Sequence, residues 1–228
     1  MKIQDIPQTG KLGLTVTWSG RNGQIRRIYV TPANPRTDRQ RVVRNVLAQQ
    51  ARRFDTLTDA QQTAWNVAAA GFQSVPTLGQ SGKLTGLQLF TRINCKLGLL
   101  GQDAVDTPPA GAPLFPDLAP QNLVVTNTNG VITVKLTCPA DPGQNTLLRA
   151  SPPQNSAVRA CKNFRFIGTC PTPAAGAADI TSLYLAEFGA VPVGKRLFVR
   201  ASVVVDGFES LPREFHARVP AACAPGKS

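Results

Sequence analysis

The chain has one histidine, His216, and one methionine among its 228 residues. Nucleophilic catalysis by a Ser–His or Cys–His pair therefore has one candidate base. That base sits in "REFHARV", which reads as a terminal strand, so an exposed edge-strand side chain is the simpler role. The five cysteines, Cys95, Cys138, Cys161, Cys170 and Cys223, include no CxxC pair. This spacing excludes the tight Cys/His ligand clusters of a structural zinc site. The 13 acidic residues are scattered, and none marks a carboxylate pair for acid–base work. No GxxxxGK[ST] loop is present to cradle a phosphate. Aromatic residues make up 6%, too few for a surface that stacks successive bases. No apolar run reaches the roughly 18 residues of a membrane helix. "MKIQDIPQTG" has no apolar core after its lysine, so the chain is expected to be made in the cytoplasm without a signal peptide. These absences argue against an enzyme, and they predict no cofactor, no metal, no small-molecule substrate and no membrane partner. An odd cysteine count leaves at least one thiol unpaired. Reduced, structural thiols fit the missing export signal, with a Cys161–Cys170 bridge as the alternative.

What the chain does have is positive charge. The net charge is +12, which favours nucleic acid or an acidic partner without choosing between them. Residues 1–105 carry 14 Lys/Arg and 5 Asp/Glu, net +9; residues 106–228 carry 11 and 8, net +3. Nine arginines lie between Arg21 and Arg53 against the single acid Asp38. Apolar residues make up 42%, enough for a packed core rather than a disordered chain.

Local patterns divide the chain. In "LTVTW", Leu14, Val16 and Trp18 alternate with Thr15 and Thr17, the period of a half-buried strand. Asn22-Gly23 is a type I′ hairpin signal, and "QIRRIYV" is the return strand. Asn34 and Pro35 suit the cap and first position of a helix, while Thr37-x-x-Gln40 offers an overlapping capping box. Val43, Val46, Leu47 and Phe54 form one stripe of this helix, with Arg41, Arg44 and Arg52 on the opposite side. Thr58-x-x-Gln61 starts a second helix with Ala64, Trp65 and Ala68 on its apolar face, and Gly71 suits its left-handed end. Thr85-x-x-Gln88 starts a third, with Leu89, Phe90, Ile93 and Leu97 buried. Residues 101–120 contain five prolines, a semi-rigid linker. Behind it "LVVTNT", "VITVKLTC", "NTLLRAS", "NFRFIGT", "KRLFVRASVVV" and "REFHARV" read as strands separated by turns. "DITSLYLAEFG" is either a short helix capped by Asp179 or a crossing strand. The expected organisation is α+β. Residues 1–100 form a β-hairpin and short-helix module and 101–120 the Pro-rich linker. Residues 121–220 form an all-β immunoglobulin- or fibronectin III-like sandwich, and 221–228 a tail.

The N-terminal pattern runs W-x-G-x-x-G-x-I-R, NPRTxxQxxxR, LTxxQxxAW and TGxxLFxxxN. Its positions here are Trp18, Gly20, Gly23, Arg26, Asn34, Pro35, Arg36, Thr37, Gln40, Arg44, Leu57, Thr58, Gln61, Trp65, Thr85, Gly86, Leu89, Phe90 and Asn94. It resembles a large uncharacterised bacterial and bacteriophage family of structural proteins over about residues 1–100. That resemblance implies a virion or particle component, often with a fibronectin-type sandwich behind the helical segment. "GKRLFVRASVVVDGFESLPREFHARV" is similar to the last two strands of such a module. The family supplies no catalytic residues.

The functional expectation is a non-enzymatic structural subunit of a phage or phage-like particle. Its partners would be copies of itself, other particle subunits and packaged nucleic acid. The contact candidates are Arg26, Arg27, Arg36, Arg39, Arg41, Arg44 and Arg52, on a face that is solvated, meets an acidic neighbour or meets nucleic acid. Arg36 and Arg39, at a helix N-terminus where the dipole disfavours cations, hint at an anionic partner. Trp18 and Trp65 are core residues or interface anchors. Asn94 is a polar contact or a helix-end feature. The alternatives are a basic nucleic-acid-binding protein, without any helix-turn-helix signature, and an extracellular filament subunit.

Overall fold

The computed structural model describes residues 8–20, 23–31, 33–34, 36–74, 82–111, 113–141 and 145–221. Asn22, Pro35, Cys223 and most of the 221–228 tail lie outside the described residues, as does the side chain of Arg39. The fold is mixed α+β. Among the described residues there are four helices and eleven strands in three sheets. By contact density the chain divides into two units. One holds Met1–Thr91 with Asp106–Pro108, the other Arg92–Val105 with Pro109–Ser228.

The first unit opens with β1 (Gly10–Leu12), β2 (Thr15–Gly20) and β3 (Gly23–Ile28), an antiparallel sheet in that order. Trp18 lies opposite Ile25, and Val16 lies between Lys11 and Arg27 on the same face. The other face carries Leu12, Thr15 and Ile28 in one row and Thr17 beside Arg26 in the next.

Three helices follow, and their starts differ in quality. The first, α1 (Asp38–Asp55), is capped by Thr37, not by Asn34 as the Asn-Pro signal suggests. Arg36 has φ of 48°, the left-handed region, so a helix entered at residue 35 would break one residue later. Arg36 thus precedes the helix, and only Arg39 stands in its first turn. Asn34 instead accepts a hydrogen bond from Arg44 Nη1 at 2.8 Å. Helix α2 (Asp59–Ala69) has a complete capping box: Thr58 Oγ1 accepts from Gln61 N, and Gln61 Oε1 accepts from Thr58 N. Helix α3 (Gly86–Leu99) has the same reciprocal pair in Thr85 and Gln88. In α1 only half the box exists. Thr37 Oγ1 accepts from Gln40 N at 3.4 Å, while Gln40 Oε1 is buried without a partner.

Helix ends also depart from the simplest reading. Gly71 is absent from the positive-φ positions. Here α2 closes with tight bonds from Gly71 N to Ala68 O and from Phe72 N to Ala69 O, which need no left-handed residue. The left-handed glycine is Gly101, φ 72°, after α3. Its N–H reaches Gly98 O and the Gln102 N–H reaches Leu97 O, the paired bonds of a Schellman motif.

The core of the first unit is aromatic. Phe90 meets Phe54 and Trp65 edge-on, with ring centroids 5.3 and 5.2 Å apart, the arrangement favoured by ring quadrupoles. The Trp65 indole N–H donates to Asp106 O at 2.9 Å. Arg53 holds the Asp106 carboxylate, also at 2.9 Å. One residue thus satisfies the buried indole with its backbone and a guanidinium with its side chain.

The second unit is built on two sheets. One is ordered β4 (Asn122–Thr128), β5 (Val131–Thr137) and β8 (Ala177–Asp179). The other runs β10 (Phe208–Glu209), β9 (Arg196–Val205), β6 (Thr146–Ala150) and β7 (Arg165–Thr169), with β11 (Arg213–Arg218) also paired to β9. Buried and exposed residues alternate along β4, so it buries one face. Most of β9 is buried without alternation, as in a strand covered on both sides. Leu123 and Val125 from β4, Val134 and Leu136 from β5, Leu148 from β6, Val199 and Ala201 from β9, and Phe215 from β11 join one hydrophobic cluster. Asp206 and Gly207, both with positive φ, make the tight turn between β9 and β10. "DITSLYLAEFG" resolves as a helix, α4 (Thr181–Phe188), whose N-cap is Ile180 and not Asp179, although Asp179 Oδ1 accepts from Thr181 N at 2.9 Å. Its Tyr184 is fully buried, and the hydroxyl donates to Ser151 O at 2.7 Å.

Candidate functional site

Hydrophobic side chains in a folded chain are covered wherever the fold can cover them, so a contiguous bare group marks a surface meant for something else. The first unit leaves several large apolar side chains bare, on both faces of its sheet and along α1. Leu14 and Trp18, expected on a half-buried face, are 78% and 60% exposed. On the opposite face of the same sheet Leu12 and Ile28 are 84% and 73% exposed. The buried residue of β2 is Thr17, the reverse of the alternation read from "LTVTW". Two side chains from β3 explain it. Gln24 and Arg26 reach across β2 to Gln8, bonding its carbonyl and its Oε1 at 3.0 Å each, and Thr17 lies beneath them. On the Trp18 face Lys11 packs over the Tyr29 ring, 3.8 Å from its centroid, and leaves Trp18 uncovered.

The sheet also has open edges. Strands β1 and β3 each pair only with β2 among the described residues. Unpaired edge N–H and C=O groups are templates for another strand.

Helix α1 repeats the theme. Its stripe begins with Val43, Val46 and Leu47 and ends at Phe54, with Val42 beside it. Phe54 is buried against Phe90, whereas Val42, Val43 and Leu47 are exposed. One continuous apolar stripe is therefore covered at its C-terminal end and bare for its first turns. Thr37, Gln40, Val43 and Arg44 line an open depression of about 360 Å³ beside it.

The basic residues flank this bare region without converging on one point. Arg26 is committed to Gln8, Arg41 lies 3.5 Å from Asp38, and Arg44 is held by Asn34. Arg27, Arg36 and Arg52 are exposed and make no ion pair among the described residues. Of the two tryptophans, Trp65 belongs to the core and Trp18 to the surface.

Of its two expected roles, polar contact or helix-end feature, Asn94 fills the first. It is 1% exposed, and its amide pairs with Val105 in both directions. Oδ1 accepts from Val105 N at 2.8 Å and Nδ2 donates to Val105 O at 3.1 Å. Its role is to tie down the segment after α3. His216 is exposed on β11 beside Phe198.

The second unit holds a polar cluster that the sequence does not announce. Glu209 receives hydrogen bonds from Lys96, Arg149 and Ser202. Burial alone would raise its carboxyl, but these three donors outweigh burial and hold it at about 2. All four side chains are largely withdrawn from solvent. Nothing among them is left as a nucleophile or base, so the cluster is a structural clamp. Lys96 and Arg149 are 53 residues apart, which is why no local motif reveals it.

Cys95, Cys138, Cys161 and Cys170 are all unbridged. The Cys161–Cys170 bridge is therefore not formed. Burial pushes the Cys170 thiol up to about 12 and also raises Cys138.

No helix among the described residues is long and apolar enough to cross a membrane. No protein-family model and no curated protein matches the chain.

Proposed function

We propose that this chain is a non-enzymatic structural subunit of a phage or phage-like particle, acting through repeated contacts with its own copies and with other particle subunits. The observation that carries the reading is the number of bare apolar side chains in the first unit: Leu12 and Ile28 on one face of the sheet, Trp18 on the other, and Val42, Val43 and Leu47 on α1. A subunit used once as a monomer gains nothing from leaving these exposed, whereas an assembly covers them many times over with one modest interface. The open edge of β3 adds to a neighbour's sheet through main-chain hydrogen bonds. The exposed arginines meet an acidic neighbour or packaged genome. The second unit then serves as a fibronectin III-like sandwich behind the Pro-rich linker, displayed outward or packed laterally. The N-terminal motif's resemblance to phage structural proteins supports the same reading.

The test is light scattering coupled to size exclusion at near-physiological salt, with and without duplex DNA. The wild type is expected to form particles or filaments. A Leu12→Ser, Trp18→Ser, Ile28→Ser variant is expected to stay monomeric with only a small loss of melting temperature, because these side chains are mostly exposed in the isolated fold. Arg27, Arg36 and Arg52, exposed and without an ion pair among the described residues, favour a second reading, a basic nucleic-acid-binding protein. A monodisperse wild-type monomer whose DNA affinity falls steeply with salt would establish that reading and overturn the first.

A further inference from the structure

Helix α1 carries a second pattern alongside its apolar stripe. Gln40, Val43, Leu47, Gln50 and Phe54 recur at alternating spacings of three and four residues, the heptad seam along which one helix packs against another. Phe54 belongs to the core of its own unit. Val43 and Leu47 are 55% and 46% exposed. Gln40 and Gln50 are half-buried, and the amide oxygen of each is buried without a hydrogen-bond partner among the described residues. A buried acceptor left unpaired costs stability. The two glutamines lie about 15 Å apart along the helix axis, so they cannot relieve each other. The four free seam positions read Gln-Val-Leu-Gln from one end and Gln-Leu-Val-Gln from the other. The order of polar and apolar residues is therefore the same in both directions about Asn45.

We infer that α1 pairs antiparallel with α1 of a second copy of this chain, across a two-fold axis level with Asn45. The inference rests on the reading of repeated self-contact above and names one of those contacts. In this register Val43 packs on the partner's Leu47, and Leu47 on the partner's Val43, as an isologous interface requires. Gln40 lies against the partner's Gln50. A half-turn about χ3 exchanges the two ends of an amide and brings its oxygen outward. The facing amides then donate to and accept from each other, which satisfies each orphan oxygen. Polar layers of this kind fix the register of an apolar seam at some cost in strength. The depression lined by Thr37, Gln40, Val43 and Arg44 is a hole for a facing side chain. Charge selects the direction. Arg36 is exposed beside the N-terminal end of α1, where the helix dipole disfavours a cation. An antiparallel neighbour brings its helix C-terminus there, with its exposed Asp55, and both attract a guanidinium. A parallel neighbour would set Arg36 against a second helix N-terminus. Arg44, which flanks the axis, is already engaged by Asn34. The helix carries five arginines and two aspartates, so added salt strengthens the pair, the reverse of its effect on DNA binding. Two apolar side chains from each copy make a small contact, so the pair dissociates at roughly 100 μM, and a dilute column run shows monomer.

The experiment is sedimentation equilibrium on the full chain carrying Leu12→Ser, Trp18→Ser and Ile28→Ser, in which the sheet contact is removed and α1 is intact. The expected result is a concentration-dependent monomer–dimer equilibrium that tightens as salt rises. Two further variants of this parent read the register. Gln40→Lys with Gln50→Lys sets like charges against each other in the antiparallel pair and should weaken it by about tenfold or more. Gln40→Glu with Gln50→Lys changes the same positions but sets opposite charges together, and should dimerise at least as well as the parent. In a parallel pair this last change would again oppose like charges. A parent that is monomeric at every concentration would overturn the inference, and so would a Glu/Lys variant as weak as the Lys/Lys one. The parent's own equilibrium depends on no seam variant folding. A monomeric parent beside a particle-forming wild type would overturn the α1 contact alone. A wild type that is a monodisperse monomer at every concentration would overturn the subunit reading with it.

Discussion

Replacing Glu209 by Gln keeps the size of a side chain that Lys96, Arg149 and Ser202 all grip, and removes its charge. The cost follows from the proton affinity of the carboxyl. Its ordinary value of 4.5 falls to about 2 in the fold. At 1.36 kcal/mol per tenfold change in proton affinity, the clamp contributes about 3 kcal/mol through this group. Removing one partner of a buried ion pair costs a similar 3–5 kcal/mol or so, because the stranded cations remain desolvated. The pH dependence has a definite sign. The folded protein binds this proton more weakly than the unfolded chain does, so the contribution is complete above the ordinary value and fades as pH falls toward about 2. Urea unfolding of wild type and variant, followed by far-UV circular dichroism, measures it. Tryptophan fluorescence would not, since Trp18 and Trp65 both belong to the first unit. The expected gap is about 3 kcal/mol at neutral pH, shrinking to near zero in strong acid. A gap below about 1 kcal/mol at neutral pH, or one that acid leaves unchanged, refutes the reasoning.

Two further outcomes follow from the polar joints. Asn94→Ala strips both bonds from half-buried Val105 backbone groups and should lower stability by about 2 kcal/mol in denaturant titrations, with no dependence on pH. Thr58→Ala, which breaks a complete capping box, should cost about 1 kcal/mol. Thr37→Ala, which removes one long bond from half a box, should cost clearly less, and equal losses in the same thermal melts would contradict that ranking.

The strands of the second unit were legible because each obeys a local rule: alternation in "NLVVTNT", a continuous apolar run in "RLFVRASVVV", and Asn-Gly or Asp-Gly turns between them. The three Thr-x-x-Gln boxes located three helix starts for the same reason. What failed were inferences from local pattern to burial. Alternation in "LTVTW" correctly predicts a strand with Trp18 on one face, but whether that face is covered depends on a layer the pattern cannot see. The start of α1 had two competing signals, and the backbone of Arg36 decided between them. Glu209, Lys96 and Arg149 come from three separate elements, β10, α3 and β6. Such juxtapositions are products of topology and leave no trace in spacing.

The weak cap and uncovered first turns of α1 have a kinetic meaning as well. Helix stability away from tertiary packing is marginal, and these turns combine a single long capping bond with Val42, Val43 and Leu47 left exposed among the described residues. They should exchange their amide hydrogens well before Phe54 and the residues around it. A partner that covers Val42, Val43 and Leu47 would then meet the expense of ordering this stretch at the moment of contact. Each contact would be weaker and more readily reversed than its area suggests, and a misplaced subunit could leave and try again before the lattice closes around it.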